Sequence, residues 1–309
     1  MAARLGLVVH VLSAPAVREL AELGVRQVRW TLYWSRWDDA DAAARTAYRR
    51  DVTDELARAR DARLELLVCA HGTPAYLTAG ARDDYAVREP ALGAFVRWLA
   101  ERAAAWPGLT WQPWNEMDGP TFTGLFGGRS ATIGVRMRGS LYGQHLRAVS
   151  TALRAADPSA RLVAGAAGGG APDHFLEGML DAGEPLPVDA LSFHAYGPPC
   201  DAAIVERAGL MRRALAHATV AADRALPLWL TEFGISGRDM ARAWRTPASD
   251  WEMRQRDEWA RAADAVERVG VARAYGYCLE DEAADGYGVF RGGRRRLVGA
   301  WLAAGHGAD

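Results

Sequence analysis

Apolar residues in this chain gather in eight short, nearly continuous runs. They are Leu5–Val11, Val25–Leu32, Leu64–Ala70, Leu109–Trp114, Leu162–Ala166, Val188–Ala195, Leu228–Thr231 and Val271–Tyr277. Unbroken apolar runs of this kind suit parallel strands covered on both faces. The second is less uniform, because it carries Arg26, Gln27 and Arg29. Between the runs the period changes. Leu92, Phe95, Val96, Leu99 and Trp106 fall on one helical stripe, and so do Trp259, Ala262, Ala263, Val266 and Val269. Further helices are predicted over Pro15–Leu23, Arg45–Ala62, Tyr142–Ala156, Asp173–Asp181 and Ala202–Ala222. Gly24 and Asp157-Pro158 punctuate returns from helix to strand.

Eight strand–helix units in 309 residues are most economically one closed α/β barrel, a single (β/α)8 TIM barrel over residues 1–309. An open doubly wound sheet would want a Gly-rich phosphate turn after the first strand, and Val11-Leu12-Ser13 supplies none. Gly168-Gly169-Gly170 lacks the spacing of a dinucleotide fingerprint and reads as a flexible βα loop.

Composition then narrows the chemistry. A formal net charge of −1 gives no broad field for nucleic acid or an anionic membrane. The run Arg294-Arg295-Arg296 reads as a solvated loop. All 37 basic residues are arginine, which removes Schiff-base lysine chemistry and the P-loop lysine. Cys69, Cys200 and Cys278 are odd in number and widely spaced, which argues against a disulfide framework and fits a reducing compartment. Cys69 and Cys278 read as small buried hydrophobes. Arg4, Leu5–Leu12 and Ser13-Ala14-Pro15-Ala16 loosely imitate a signal peptide. The barrel needs that segment as its first strand, so a cytoplasmic location is expected. No run reaches the roughly 18 apolar residues of a membrane span.

In a barrel of this kind, chemistry gathers at the C-terminal ends of the strands. Those ends carry, in order, His10, Arg29 with Trp34 and Trp37, His71, Asn115-Glu116, Gly168, His194 with Tyr196, Glu232, and Tyr275 to Glu280. Glu116 and Glu232 follow the fourth and seventh strands, opposite each other across the mouth. Two carboxyls facing each other across a sugar can break a glycosidic bond: one protonates the leaving oxygen, the other attacks or activates water. Glu232 would need donors to keep it ionised, and Arg29 and Tyr196 can supply them. The amide of Asn115 can donate to a sugar 2-OH. His71 and His194 stand at the same rim, where His194 could orient a carboxylate or bind a hydroxyl. Trp34, Trp37, Tyr275, Tyr277 and Tyr287 could present flat faces to pyranose rings. No cofactor and no metal are expected.

These pieces resemble the clan A glycoside hydrolases, family 39 first and family 5 next. The resemblance rests on Trp114-Asn115-Glu116, Phe193-His194-Ala195-Tyr196 and Thr231-Glu232-Phe233-Gly234. Val28-Arg29-Trp30 and Gly286-Tyr287-Gly288-Val289-Phe290 fit less specifically. The resemblance implies a retaining enzyme acting on a β-linked glycan, with Glu116 as acid/base and Glu232 as nucleophile. It implies that Asn115 binds the sugar, that Arg29 and Tyr196 hold Glu232, and that His194 lines the same subsite. Two positions depart from the pattern. Pro113 precedes the Trp-Asn-Glu element, where it is expected to bend the strand end and move Glu116. Tyr275-Gly276-Tyr277 stands where the clan commonly has a tryptophan platform. The loop from Asp118 to Ser140 is expected to lie over the site.

Two other functions stay open on the sequence. One is a carbohydrate-binding barrel with impaired catalysis, motivated by those departures. The other is a metallohydrolase using His10, His71 and His194, although no HExxH and no bridging lysine exists.

Overall fold

The computed structural model describes residues 5–78, 88–119, 134–281 and 286–306. Each of the eight apolar runs overlaps one strand: β1 (Leu5–Val9), β2 (Gln27–Tyr33), β3 (Glu65–His71), β4 (Thr110–Pro113), β5 (Arg161–Leu162), β6 (Leu191–Tyr196), β7 (Leu228–Gly234) and β8 (Arg273–Gly276). They pair in parallel in the order β5-β4-β3-β2-β1-β8-β7-β6. Bridges between Val163 and Ala190 and between Ala167 and Phe193 join the two ends and close the barrel.

The outer ring is built from α1 (Ala14–Glu22), α2 (Trp34–Trp37), α3 (Ala42–Asp61), α4 (Ala75–Thr78), α5 (Arg88–Ala105), α6 (Val135–Ala156), α7 (Pro172–Leu180), α8 (Cys200–Ala216), α9 (Gly237–Trp244), α10 (Trp251–Arg268) and α11 (Leu297–Trp301). Ser13 caps α1 by accepting from the Ala16 amide, Asp41 caps α3, and Ser236 with Asp239 forms a capping box on α9. None of the described helices is long and apolar enough to cross a membrane.

Strand alternation divides the core in two. Val8, Leu67, Val163, Ala190, Trp229, Tyr275 and Cys278 fill the barrel interior. Leu7, Val9 and most other apolar side chains pack outward under the helices. One helix contact depends on missing side chains. A Cβ on Gly139 of α6 would stand 1.9 Å from the Phe175 carbonyl oxygen of α7. One on Gly178 of α7 would stand 1.9 Å from that of Arg136.

The arginine run near the C-terminus is not a solvated loop. It forms one side of a small antiparallel hairpin, β9 (Phe290–Arg291) with β10 (Arg294–Arg295). Arg294 pairs with Glu252 and Arg295 with Glu22. Arg296 is buried against Asp281 and donates to the carbonyls of Gly286 and Gly288, both at 3.0 Å. Its guanidinium therefore ties Asp281 to Gly286 and Gly288.

Candidate active site

Glu232 lies inside β7, and its position in the middle of a ladder makes its environment rigid. Arg29 on β2 donates to one carboxylate oxygen at 2.5 Å, and the Tyr196 hydroxyl at the end of β6 donates to the other at 2.5 Å. Burial opposes the charge, but His194, Arg29 and Tyr196 together hold the carboxyl below its ordinary range. Arg29 is itself almost fully buried and tightly engaged. Its Nε donates to Gln112 Oε1 at 2.9 Å, and its Nη2 donates to Asn115 Oδ1 at 2.7 Å and to Cys69 Sγ at 3.2 Å. With its carbonyl oxygen committed to Arg29, Asn115 presents its NH2 as the free end at the cavity wall. Burial, with the negative charges of Glu232 and Glu116, pushes the Cys69 thiol up to about 11 against the pull of Arg29, so it serves as a neutral acceptor rather than a thiolate.

Glu116 leaves β4 by a different route. Trp114 and Glu116 both adopt positive φ, 72° and 44°, a conformation that side chains other than glycine seldom take. Two such residues around Asn115 turn the chain sharply, so that Asn115 and Glu116 both reach the mouth. His194 on β6 joins the two carboxylates. Its Nδ1 lies 2.8 Å from Glu116 and 3.4 Å from Glu232, and the ring is fully buried. A proton on Nδ1 is what lets one ring nitrogen face two carboxylates. One oxygen of each glutamate and this nitrogen all lie within 4.8 Å of one another.

This trio is the group among the described residues that could offer three metal ligands. The donor set speaks for a hydrogen-bonded assembly instead. Both oxygens of Glu232 already accept short hydrogen bonds, and the Arg29 cation occupies one side of it. His10 and His71 line the cavity but stand outside the trio. Burial and the Arg29 charge push His71 down to about 4, so it is neutral near pH 7.

The cavity holds about 390 Å3 and is lined by His10, Arg29, Thr31, Tyr33, Cys69, His71, Asn115, Glu116, Tyr196, Glu232, Tyr277 and Tyr287. That is within the usual range for a small-molecule site. Tyr196, Tyr277 and Tyr287 meet edge to face, with centroids 5.5–6.0 Å apart. They form one wall of the cavity. Tyr287 is anchored by donating to Asp239 at 2.9 Å.

Three expected binding residues are not at the site. Trp34 and Trp37 lie on the buried face of α2, where a spacing of three puts both on one side. Trp34 stacks on Trp98, and Trp37 is gripped by Arg49, Arg102 and Trp106. Tyr275 does face the barrel interior, but one layer beneath the cavity, against Val8 and Trp229. Two residues on, Tyr277 occupies the layer that reaches the mouth. His194 sits behind the carboxylates rather than on the cavity surface.

The glycine run after β5 is anchored, not flexible. Asp118 accepts from the amides of Gly168 and Gly169 at 2.9 and 2.6 Å, and Arg207 donates to both their carbonyls. Burial pushes the Asp118 carboxyl upward, against the two amides. Most of the loop expected over the site, residues 120–133, lies outside the described residues. Thr31, Tyr33 and Cys69 were legible in principle. They follow Arg29 or precede His71 at the two-residue period that keeps side chains on one face of a strand.

No protein-family model and no curated protein matches the chain. Among solved structures it shares the (β/α)8 architecture of glycoside hydrolases of clan A. One is a family 39 glycoside hydrolase from the gut symbiont Bacteroides cellulosilyticus WH2, with TM-score 0.73 and 14% identity. It aligns with 99% of this chain, which spans 63% of that structure's length. A broad-specificity family 5 endoglucanase from Clostridium acetobutylicum aligns at TM-score 0.68 and 12% identity, covering 99% of this chain and 97% of its own. Thermotoga maritima Cel5A, solved with mannotriose, aligns at TM-score 0.64 and 14% identity, covering 97% and 96%.

Proposed function

We propose that this chain is a retaining glycosidase that cleaves a β-linked oligo- or polysaccharide by double displacement. The observation that carries this reading is the carboxylate pair, one oxygen of each within 4.8 Å and both joined to His194. Retaining enzymes hold their carboxyls about 5–5.5 Å apart, and inverting ones about 6.5–9.5 Å, to admit a water. A separation within 4.8 Å falls on the retaining side of that division, which supports double displacement.

The environments divide the roles. Glu232 is kept ionised by Arg29 and Tyr196, as a nucleophile must be. It attacks the anomeric carbon while Glu116, the more exposed of the two, gives its proton to the departing oxygen. In the second half, Glu116 takes a proton from water, and that water displaces Glu232 from the sugar. The NH2 of Asn115 is positioned for the 2-OH. Similar barrels include an endoglucanase and an enzyme solved with mannotriose, which supports a β-glucan or β-mannan as the first substrates to try.

The test uses an aryl β-glycoside panel. Glu232→Gln should lose turnover by at least about 10³-fold, and Glu232→Ala should recover with azide, releasing an α-glycosyl azide. Wild-type rates in both variants would overturn the assignment. Glycan binding by the wild type without turnover would favour a binding barrel instead.

A further inference from the structure

β4 carbonyls that face β5 receive amide hydrogens in order. Leu109 accepts from Arg161 at 3.3 Å and Trp111 accepts from Val163 at 2.8 Å. The next rung of this parallel ladder would join the Pro113 carbonyl to the Gly165 amide. The Tyr142 hydroxyl stands between them instead. It donates to the Pro113 oxygen at 2.5 Å and accepts from the Gly165 N–H at 2.5 Å. One oxygen atom thus parts the two strands. Tyr142 comes from α6, is fully buried, and packs between Phe175 and His145. Burial pushes its hydroxyl upward, so it stays protonated and able to donate. Gly165 has no room for a side chain: a Cβ there would lie 2.6 Å from the Tyr142 oxygen and 2.8 Å from the Pro113 oxygen.

The consequence reaches Glu116 by two routes. The Pro113 carbonyl and the Trp114 N–H belong to one rigid peptide plane. Tyr142 holds its carbonyl, and its N–H donates to the Ala70 carbonyl of β3 at 2.7 Å. Trp114, Asn115 and Glu116 set out from this clamped plane, two of them at positive φ. A side chain launched through such a turn is aimed by the plane at its base. The second route is space. Glu116 lies over Gly168, where a Cβ would stand 2.2 Å from its carboxylate oxygen. Gly168 is three residues beyond Gly165, in the segment that the Tyr142 hydroxyl holds away from β4.

The geometry points to Tyr142 as the positioning residue for Glu116, setting both its launch plane and the gap it occupies. This role rests on the reading of Glu116 as acid/base. It also accounts for Pro113. The missing proline N–H falls on the β5 side, where the ladder is already interrupted, so the strand accommodates it without cost to the β3 side.

Tyr142→Phe keeps the ring and removes the wedge, so Gly165 is free to close on Pro113. For glycosides with poor leaving groups, kcat/KM should fall about 10–100-fold, because their cleavage depends on proton donation from a well-placed acid. For a 2,4-dinitrophenyl glycoside, which leaves without a proton, kcat/KM should fall under about threefold. A crystal structure of the variant should show Gly165 bonded to Pro113 and the Glu116 carboxylate displaced. An equal loss for both leaving groups, or an unmoved Glu116, would overturn the proposal. A wild type inert toward every glycoside would count against the glycosidase reading, while the position of Glu116 in the variant still decides the role of Tyr142.

Discussion

Arg29 reaches four acceptors at once, on β3, β4, β7 and the turn after β4, from a position with almost no contact with solvent. Such a charge is tolerable only because it is fully paired. Arg29→Met would leave Glu232 buried beside His194 and Tyr196 alone. Its pKa should rise, moving the acidic limb of kcat/KM to higher pH, with kcat down roughly 10²–10³-fold. Removing one partner of a buried pair should also cost about 3–5 kcal/mol, readable by urea denaturation. In the native protein Glu232 is held below its ordinary value of 4.5. Its contribution to stability is complete above the unfolded value and is lost as pH falls through the folded one. At this scale sequence reasoning was uneven. Glu116, Asn115, Tyr196 and Glu232 converge on one cavity. Trp34 and Trp37 follow a strand end, where they are expected to face a sugar, whereas a single helical turn places both inward. Tyr142 and Gln112 carried no signal, because their roles exist only through partners 23 to 83 residues away.

Helices α6 and α7 meet through backbone rather than side chains. Gly139 and Gly178 let them approach until a Cβ would collide with a carbonyl oxygen. Gly178→Ala must therefore push α7 outward. A loss of about 1–3 kcal/mol is expected, seen as a lower midpoint in thermal or urea unfolding. Tyr142 also projects from α6, so the same substitution should lower activity more on poor leaving groups than on good ones. Elements themselves were legible, because each buried strand needs an apolar run and each covering helix needs a stripe. Their ends were less so. β5 shrinks to Arg161–Leu162 because the Tyr142 hydroxyl takes the next rung of its ladder.

Across the whole molecule, acid sensitivity follows from buried imidazoles. His145 is fully buried between Phe95 and Tyr142, and burial pushes it down to about 3. An unfolded histidine titrates near 6.5. The unfolded chain therefore gains a proton that the folded chain refuses, and stability falls as pH drops from about 6.5 towards the folded value. For His145 alone the loss by pH 5 is on the order of 2 kcal/mol. His71, held near 4, adds in the same direction. Urea midpoints at pH 7.5 and pH 5.0 should differ accordingly, and His145→Phe should narrow the gap. An unchanged midpoint would show that His145 is charged in the folded state.

The amino-acid sequence determined the barrel by itself. Eight apolar runs separated by amphipathic stretches have one economical closure, since each strand must be covered on both faces. It also placed two glutamates on the fourth and seventh strand–helix units, one just past β4 and one within β7, because strand order dictates position around the rim. What only the tertiary structure decided is how those ends are aimed. The direction of Glu116 depends on a left-handed turn, on a peptide plane clamped from β3 and α6, and on a gap of one oxygen between β4 and β5. Each comes from a contact between distant segments, and local periodicity carries no information about such contacts.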